Sequence, residues 1–175
     1  ITASSRGLSR VRVEVILASG DNVIATARDP ASLDDLTTAL YVTDGEAVSR
    51  VLNESRQVFE CIDVVINNAG YADISPLETV TIHSFKKQVE TNSFGTVWVT
   101  RAAIRIMREQ GSGHIIQVSS LGGHLSTPRL AAYQSAKWAV GSLRTVLAGE
   151  VAHFGIKMTA VEPGRIKTDW AGSSM

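Results

Sequence analysis

The chain of 175 residues has little cysteine and proline, and no excess of charge of either sign. Cys61 is the only cysteine, which excludes an internal disulfide. The four histidines (His83, His114, His124 and His153) are not spaced as metal ligands next to cysteines or carboxylates, so we expect no metal site. The 17 basic side chains balance the 17 acidic ones, which gives no electrostatic reason to propose nucleic acid or an acidic membrane as a partner.

Long apolar runs are also missing. No stretch approaches the roughly 18 residues that a membrane span needs, and the N-terminus lacks the basic and apolar regions of a signal peptide. We therefore expect a cytoplasmic protein that does not bind membranes. A hydrophobic content of 44% with 19% charged residues predicts one globular domain over residues 1–175.

Short β-branched segments alternate with longer segments of helical periodicity. Strands are predicted at 22–27, 62–66, 114–118 and 157–161, and helices at 7–18, 44–59, 81–91, 93–110 and 132–153, the third and fourth of which could form one bent helix. Alternation of this kind, with strands apolar on both faces, predicts an α/β fold in which helices cover both faces of a doubly wound parallel sheet, a Rossmann-type three-layer sandwich. In such sheets ligands bind beyond the carboxyl ends of the strands, so residues with a chemical role should follow the strands.

Tyr133 and Lys137 lie four positions apart in a predicted helix, so their side chains share one face. An ordinary tyrosine has a pKa of about 10, and we expect the neighbouring ammonium to lower the pKa toward the working range of an acid or base. The pair alone is weak evidence, because such pairs also occur on solvated helix faces. Ser120 follows the predicted strand 114–118, at 13 residues before Tyr133.

Together, Ser120 and the segment Tyr133-Gln134-Ser135-Ala136-Lys137 resemble the short-chain dehydrogenase/reductase family. That family pairs a serine at the end of its fifth strand with a Tyr-x-x-x-Lys helix. The resemblance implies that Ser120 hydrogen-bonds a substrate carbonyl while Tyr133 donates a proton to its oxygen and a nicotinamide delivers hydride to its carbon.

Three further segments carry the resemblance. Asn67-Asn68-Ala69-Gly70 matches the family's fourth-strand motif at the floor of the cofactor cleft, although the same residues could form a simple turn. Asn92 matches a helix asparagine that holds a water near the lysine, so that Lys137 can bind the nicotinamide ribose and resupply the proton. Pro163-Gly164 with Thr168 matches the segment that holds the nicotinamide carboxamide.

The N-terminal segment Thr2-Ala3-Ser4-Ser5-Arg6-Gly7-Leu8-Ser9 stands where the family has Thr-Gly-x-x-x-Gly-x-Gly. Ala3 and Ser9 replace two of the three glycines, which serve a tight turn and a close approach to the pyrophosphate. Arg6 and Arg28 suit a 2′-phosphate and favour NADP(H) over NAD(H), although each could be an ordinary surface charge. The residues assigned to the cofactor are Thr2, Ser4, Arg6, Gly7, Leu8, Arg28, Asn68, Ala69, Gly70, Tyr133, Lys137, Pro163, Gly164 and Thr168.

Other departures keep a second interpretation open. Tyr41 stands where an aspartate usually contacts adenine, the connection from Leu33 to Ala39 is short, and both ends are abrupt compared with the family. We therefore expect either a part of a longer protein or a shortened member. The alternative function is that of a degenerate, non-catalytic relative that binds nucleotide or acts as a regulatory or interaction protein.

The substrate and the oligomeric state are weakly constrained. Leu125, Leu130 and Trp170 suggest an apolar rim for a lipophilic carbonyl or alcohol, though they could equally be packing residues. The helices 93–110 and 132–153 carry Trp98 and Trp138 on faces that could pair across a two-fold axis in a homodimer or homotetramer, or that could belong to the core.

Overall fold

The structure is a computed structural model, which describes residues 1–29, 37–164 and 166. Strands and helices alternate along this part of the chain. The strands are β1 (Ala25–Ala27), β2 (Thr37–Ala39), β3 (Val64–Asn67), β4 (Gly113–Val118) and β5 (Ile156–Val161). The helices are α1 (Gly7–Ala18), α2 (Gly45–Phe59), α3 (Ile82–Val89), α4 (Gly95–Gln110) and α5 (Ala131–Val151).

All the strand pairs are parallel. β1 pairs with β2, β3 with β4, and β4 with β5. Residues 1–4 join these two groups, because Thr2 N donates to Ile66 O at 3.1 Å, while Thr26 N donates to Ile1 O at 3.0 Å and Ser4 N to Thr26 O at 2.9 Å. The spatial order is therefore β2, β1, residues 1–4, β3, β4, β5, and the predicted doubly wound α/β fold is confirmed.

The predicted helix bounds agree with the structure to within two residues at most ends. α2 begins after Asp44, whose carboxylate accepts hydrogen bonds from the N–H groups of Glu46 and Ala47, and α3 begins after Thr81, whose hydroxyl accepts one from Ser84 N. The third and fourth predicted helices are continuous, in agreement with the possibility that they form one helix, since a π-helical turn at Glu90–Phe94 connects α3 directly to α4.

The strands differ from the prediction in two places: β2 is not among the predicted strands, and the first predicted strand is too long. Residues 22–27 were expected in the strand, but β1 comprises Ala25–Ala27 alone. Val23 lies before the ladder and is buried against Val13 of α1, so its apolar character serves helix packing rather than strand pairing.

Two apolar clusters mark the two faces of the sheet. The larger one packs α2 and α4 on β3, β4 and β5, with Val48, Met107 and Ile115 fully buried. The smaller one packs α1 against the start of β1 through Val13, Val23 and Ala25. This arrangement leaves the carboxyl ends of the strands as the shared edge at which loops from both groups of strands meet.

Candidate active site

Hydrogen bonds bring the predicted site segments together at the carboxyl edge of the sheet. The hydroxyl of Thr2 accepts hydrogen bonds from the main-chain N–H groups of Asn68 at 2.9 Å and Ala69 at 3.0 Å, which ties the segment after β3 to the N-terminal turn. On the other side, Leu121 N donates to Pro163 O at 3.2 Å and links the segments after β4 and β5. Chemistry-bearing residues therefore follow the strands, as expected.

Ser120 and Tyr133 form a hydrogen-bonded pair. Tyr133 lies in the first turn of α5 and is 7% exposed. The main-chain N–H of Gly122 donates to Ser120 Oγ at 3.0 Å. A Cβ atom at Gly122 would lie 3.3 Å from Tyr133 Cε1 and 3.4 Å from Ser120 Oγ, so the absence of a side chain there permits the close approach of this turn to the pair.

Burial raises the pKa of Tyr133 above its ordinary value, and the hydrogen bond with Ser120 acts in the opposite direction. The prediction that Lys137 lowers the pKa of Tyr133 is wrong for this arrangement. Lys137 Nζ lies 5.7 Å from the centre of the Tyr133 ring and donates a hydrogen bond to Val118 O at 2.8 Å, so the desolvation of the phenol dominates.

Lys137 lies one helical turn after Tyr133 and is 5% exposed. Burial lowers the pKa of its ammonium group from 10.5 to about 8. The lysine reaches the segment after β3 at Gly70, where a Cβ atom would lie 3.6 Å from Lys137 Nζ and 2.5 Å from Asn92 Oδ1. Only glycine fits at position 70 without moving the asparagine amide.

Asn92 lies in the π-helical turn and is fully buried. Its amide holds the main chain of Tyr71 in both directions: Tyr71 N donates to Asn92 Oδ1 at 2.9 Å, and Asn92 Nδ2 donates to Tyr71 O at 2.7 Å. The side chain thus fixes the segment that contains Gly70, next to Lys137. π-Helical turns inside α-helices are frequent at functional sites.

The N-terminal turn keeps a backbone shape suited to glycine although two of the family's glycines are replaced. Ala3 has φ 56° and Gly7 has φ 58°, and both values lie in the left-handed region. Ser4 is fully buried, and its hydroxyl donates to Ile1 O at 2.8 Å, so it supports the turn. Ser9 is also fully buried, and its hydroxyl has no hydrogen-bond partner in the part of the chain that the structure describes.

The same turn fits the phosphates of a dinucleotide. Helix α1 begins at Gly7 with no acidic residue in its first turn, and the side chain of its N-cap residue Arg6 does not cap the first N–H groups of the helix. Its first N–H groups and the helix dipole therefore suit an anion. Leu8 is half-buried in this first turn, and Arg6 is exposed.

Arg28 follows β1, is exposed, and lies close enough to Tyr71 to lower the pKa of that phenol. Burial of Tyr71 and the nearby Asp73 carboxylate outweigh this effect, so that the pKa of Tyr71 is raised. Arg28 therefore lies toward the segment after β3, across the edge where a nucleotide would bind. Tyr41, just after β2, is 59% exposed.

The remaining predicted residues are placed less tightly. Gly164 is exposed, with open space where a side chain would stand. Thr168 and Trp170 lie outside the described residues.

Within the described ranges, no three histidine, cysteine, aspartate or glutamate side chains lie together as a metal site would require. Nor does any helix of these ranges have the length and apolar character needed to cross a membrane.

Sequence reasoning did not identify Gln134 and Tyr71 as site residues. Gln134 is buried directly after Tyr133 and binds the loop between Ser120 and Tyr133. The sequence could have indicated Gln134, because it is a polar side chain next to Tyr133 on a predicted helix, and a buried polar group needs hydrogen-bond partners. Tyr71 participates mainly through its main chain, which a sequence does not reveal.

Comparisons with known proteins identify the family of this chain. A sequence model described as short chain dehydrogenase matches residues 1–175. The chain is 53% identical over 185 residues to oxidoreductase BOA17 of Botryotinia fuckeliana, with 100% of this chain and 68% of that protein covered. It is 32% identical over 176 residues to a 3-ketodihydrosphingosine reductase of Bacteroides thetaiotaomicron, with 96% and 63% covered.

Among solved structures, a short-chain dehydrogenase from Streptomyces avermitilis superimposes with a TM-score of 0.91 at 39% identity, covering 97% of this chain and 67% of that one. The chain belongs to the short-chain dehydrogenase family, a family of oxidoreductases that use a nicotinamide nucleotide. It spans about two thirds of the length of these relatives.

Proposed function

We propose that the protein transfers hydride between NADP(H) and a carbonyl or secondary alcohol, with Tyr133 as the acid and base. The observation that carries this proposal is the hydrogen bond between half-buried Ser120 and buried Tyr133, with buried Lys137 one turn along the same helix as Tyr133. These three groups lie at the carboxyl edge of the sheet, where ligands of parallel α/β sheets bind.

In the reducing direction, the nucleotide supplies hydride to the carbonyl carbon. Ser120, whose oxygen accepts from Gly122 N, would exchange its hydrogen bond with Tyr133 for one that it donates to the carbonyl oxygen. The Tyr133 O–H bond breaks as the proton moves to the substrate oxygen, and the hydrogen bond with Ser120 favours the phenolate that remains. Oxidation of an alcohol reverses these steps.

Lys137 and Asn92 would restore the proton. With a pKa of about 8, the Lys137 ammonium is a better proton donor than an ordinary lysine at neutral pH. The Asn92 amide is occupied by Tyr71, so a relay water would bind the Asn92 main-chain carbonyl, which already accepts a 3.2 Å hydrogen bond from Thr96 and has a second lone pair. Since the pKa of Tyr133 is raised, the phenol is protonated at neutral pH, as a proton donor in the reducing direction must be.

The preference for NADP(H) is supported by Arg6 at the start of α1 and Arg28 after β1. Both are exposed at the edge that would receive the adenosine ribose. Guanidinium groups bind phosphates in a bidentate manner, and position 28 carries no acid for a ribose 2′-hydroxyl. Comparison of KM for NADPH and NADH tests this preference, and a lower KM for NADH would contradict it.

A lipophilic substrate is supported by two exposed leucines in the loop after Ser120: Leu121 is 48% exposed and Leu125 is 53% exposed. The relative named 3-ketodihydrosphingosine reductase acts on a lipid ketone, as its name states.

We further propose a homodimer or homotetramer. Trp138, 51% exposed on α5, supports such an interface, whereas Trp98 packs against the core. The single domain and the cytoplasmic location remain predictions.

The Tyr133→Phe variant tests the function. Removal of the phenolic proton should abolish turnover of ketones while leaving NADPH binding, followed by nucleotide fluorescence, within about twofold of the wild type. Ser135→Ala, an exposed change two residues along α5, is the matched control. Turnover by Tyr133→Phe at near the wild-type rate would contradict the role of Tyr133, and tight NADPH binding by a wild type without any turnover would favour the regulatory alternative.

A further inference from the structure

We propose that Gln134 is a positioning residue that fixes the segment Leu125–Thr127 beside Tyr133 and thereby shapes the substrate rim. We call Leu125–Thr127 the rim segment. The inference rests on the proposed function for its effect on substrate, but the hydrogen bonds that it invokes are testable without turnover.

The Gln134 side chain uses both ends of its amide on the rim segment. Gln134 Nε2 donates to Leu125 O at 2.8 Å, and Gln134 Oε1 accepts from Thr127 N at 2.8 Å. The side chain is only 8% exposed, so these bonds form in a site largely withdrawn from water. Its Cγ lies 3.5 Å from the position of a Cβ at Gly122, and therefore also packs against the turn after Ser120.

Apart from the bonds of Gln134, the rim segment is held by two main-chain hydrogen bonds within its own loop, from Leu125 N to Leu121 O at 3.1 Å and from Leu130 N to Thr127 O at 3.4 Å. All three of its residues are exposed, and it belongs to neither a helix nor a strand. Its flanks are held by Ser75 N, which donates to Arg129 O at 3.0 Å, and by an exposed pair in which His124 Nε2 lies 2.7 Å from Glu162 Oε1. Exposed ion pairs contribute little to stability, so the two hydrogen bonds of the buried Gln134 amide hold the rim segment more firmly than the pair of His124 and Glu162 does.

The position of Gln134 in the chain connects the rim segment to the proposed proton donor. The loop leaves the sheet at Ser120 and returns in α5 at Tyr133, so any substrate that contacts both hydroxyl groups lies against the chain that joins them. Gln134 is the next residue after the proposed proton donor on the same helix. It therefore sets the distance between Tyr133 and the exposed Leu125 side chain.

Gln134→Met retains the length and burial of the side chain but makes neither hydrogen bond, and Gln134→Glu retains the acceptor for Thr127 N alone. Amide hydrogen exchange at Thr127, measured by NMR, should accelerate at least about tenfold in Gln134→Met and stay slow in Gln134→Glu. Exchange at the core amide of Ile115 should not change in either. Ser135→Ala is the control, because the Ser135 hydroxyl donates only within the helix, to Ala131 O and Ala132 O.

Kinetics with acetone and 2-decanone as probes then test the substrate role. In Gln134→Met, KM for 2-decanone should rise about tenfold, since loss of two ordinary hydrogen bonds is of that order, while kcat and NADPH affinity stay within about twofold. KM for acetone, which is too small to reach the rim, should change less. Unchanged exchange at Thr127 in Gln134→Met, or a fall in kcat with KM unaltered, would overturn the inference.

The two proposals fail in different ways. A wild type that reduces neither ketone, with Thr127 exchange responding as expected, would contradict the proposed function and support the hydrogen bonds of Gln134. A wild type that reduces both ketones, with KM for 2-decanone unaffected by Gln134→Met, would contradict the rim role and support the proposed function.

Discussion

Lys137 should make the folded protein less stable at neutral pH than it would be with an apolar residue in the same place. Burial lowers the pKa of the ammonium from 10.5 to about 8. A pKa difference of about 2.5 between the unfolded and folded states corresponds to a destabilisation of about 3 kcal/mol where both states are protonated. The hydrogen bond from Nζ to Val118 O is the main contact that Lys137→Met removes, at a cost of about 1 to 2 kcal/mol.

The net expectation is that Lys137→Met raises the free energy of unfolding at pH 7 by about 1 to 2 kcal/mol while it abolishes turnover. The sign of the pH dependence follows from proton binding. Between pH 8 and 10.5 the unfolded wild type binds this proton and the folded wild type does not, so wild-type stability rises with pH by up to about 1.4 kcal/mol per pH unit. The advantage of the variant should therefore shrink across this range and reverse at its upper end.

Urea unfolding of the wild type and of Lys137→Met at several values between pH 7 and 10 measures both effects. Lys87→Met, a change of an exposed lysine on α3, is the matched control and should alter neither the stability at pH 7 nor the slope. A Lys137→Met protein less stable than the wild type at pH 7, with the same pH dependence, would refute the argument that burial penalises the ammonium.

Two further predictions concern glycine and serine positions. Ser9→Ala removes the buried hydroxyl that has no partner in the described part of the chain, and should raise the free energy of unfolding by about 1 kcal/mol in urea titration; a loss of stability would mean that the hydroxyl is bonded. Gly70→Ala places a Cβ 2.5 Å from Asn92 Oδ1, so it should destabilise the protein by about 1 to 3 kcal/mol and weaken NADPH binding at least tenfold by fluorescence. Gly141→Ala in α5, where a Cβ meets nothing within 4 Å, is its control and should stabilise by about 0.5 to 1 kcal/mol; equal effects at both positions would refute the steric argument.

The alternation of apolar segments in the sequence predicts the α/β fold, and the resemblance to the short-chain dehydrogenase family supplies the predicted residues of the candidate site. Helix α2 ends at Phe59 as predicted and begins one residue after the predicted start, because its buried positions Val48, Val51, Leu52 and Ser55 repeat at intervals of three and four residues. Ser120 follows strand β4, and Tyr133 lies in helix α5. Such local relations can be predicted from the order of residues along the chain. Their roles stay predictions until they are tested.

Features that depend on burial or on long-range contacts were not predictable. The pKa of Tyr133 shifts upward because the ring is enclosed, and a four-residue spacing contains no information about enclosure. Asn92 bonds the main chain of Tyr71, and Lys137 bonds the main-chain carbonyl of Val118. Because every residue type has these main-chain groups, the sequence does not indicate which residues will be the partners. The strand at 22–27 was predicted too long because Val23 is buried against a helix and therefore has the same hydrophobic signal as a strand residue.

The junction made by residues 1–4 has a consequence for cooperativity. Main-chain hydrogen bonds of Ile1, Thr2 and Ser4 connect the pair of β1 and β2 to the group of β3, β4 and β5. The same turn contains Ala3 at φ 56° and leads into the helix start that suits phosphates. The proposed nucleotide site therefore lies at the seam between the two groups of strands. A ligand bound there would contact both groups and oppose their separation, so that binding would stabilise the whole sheet.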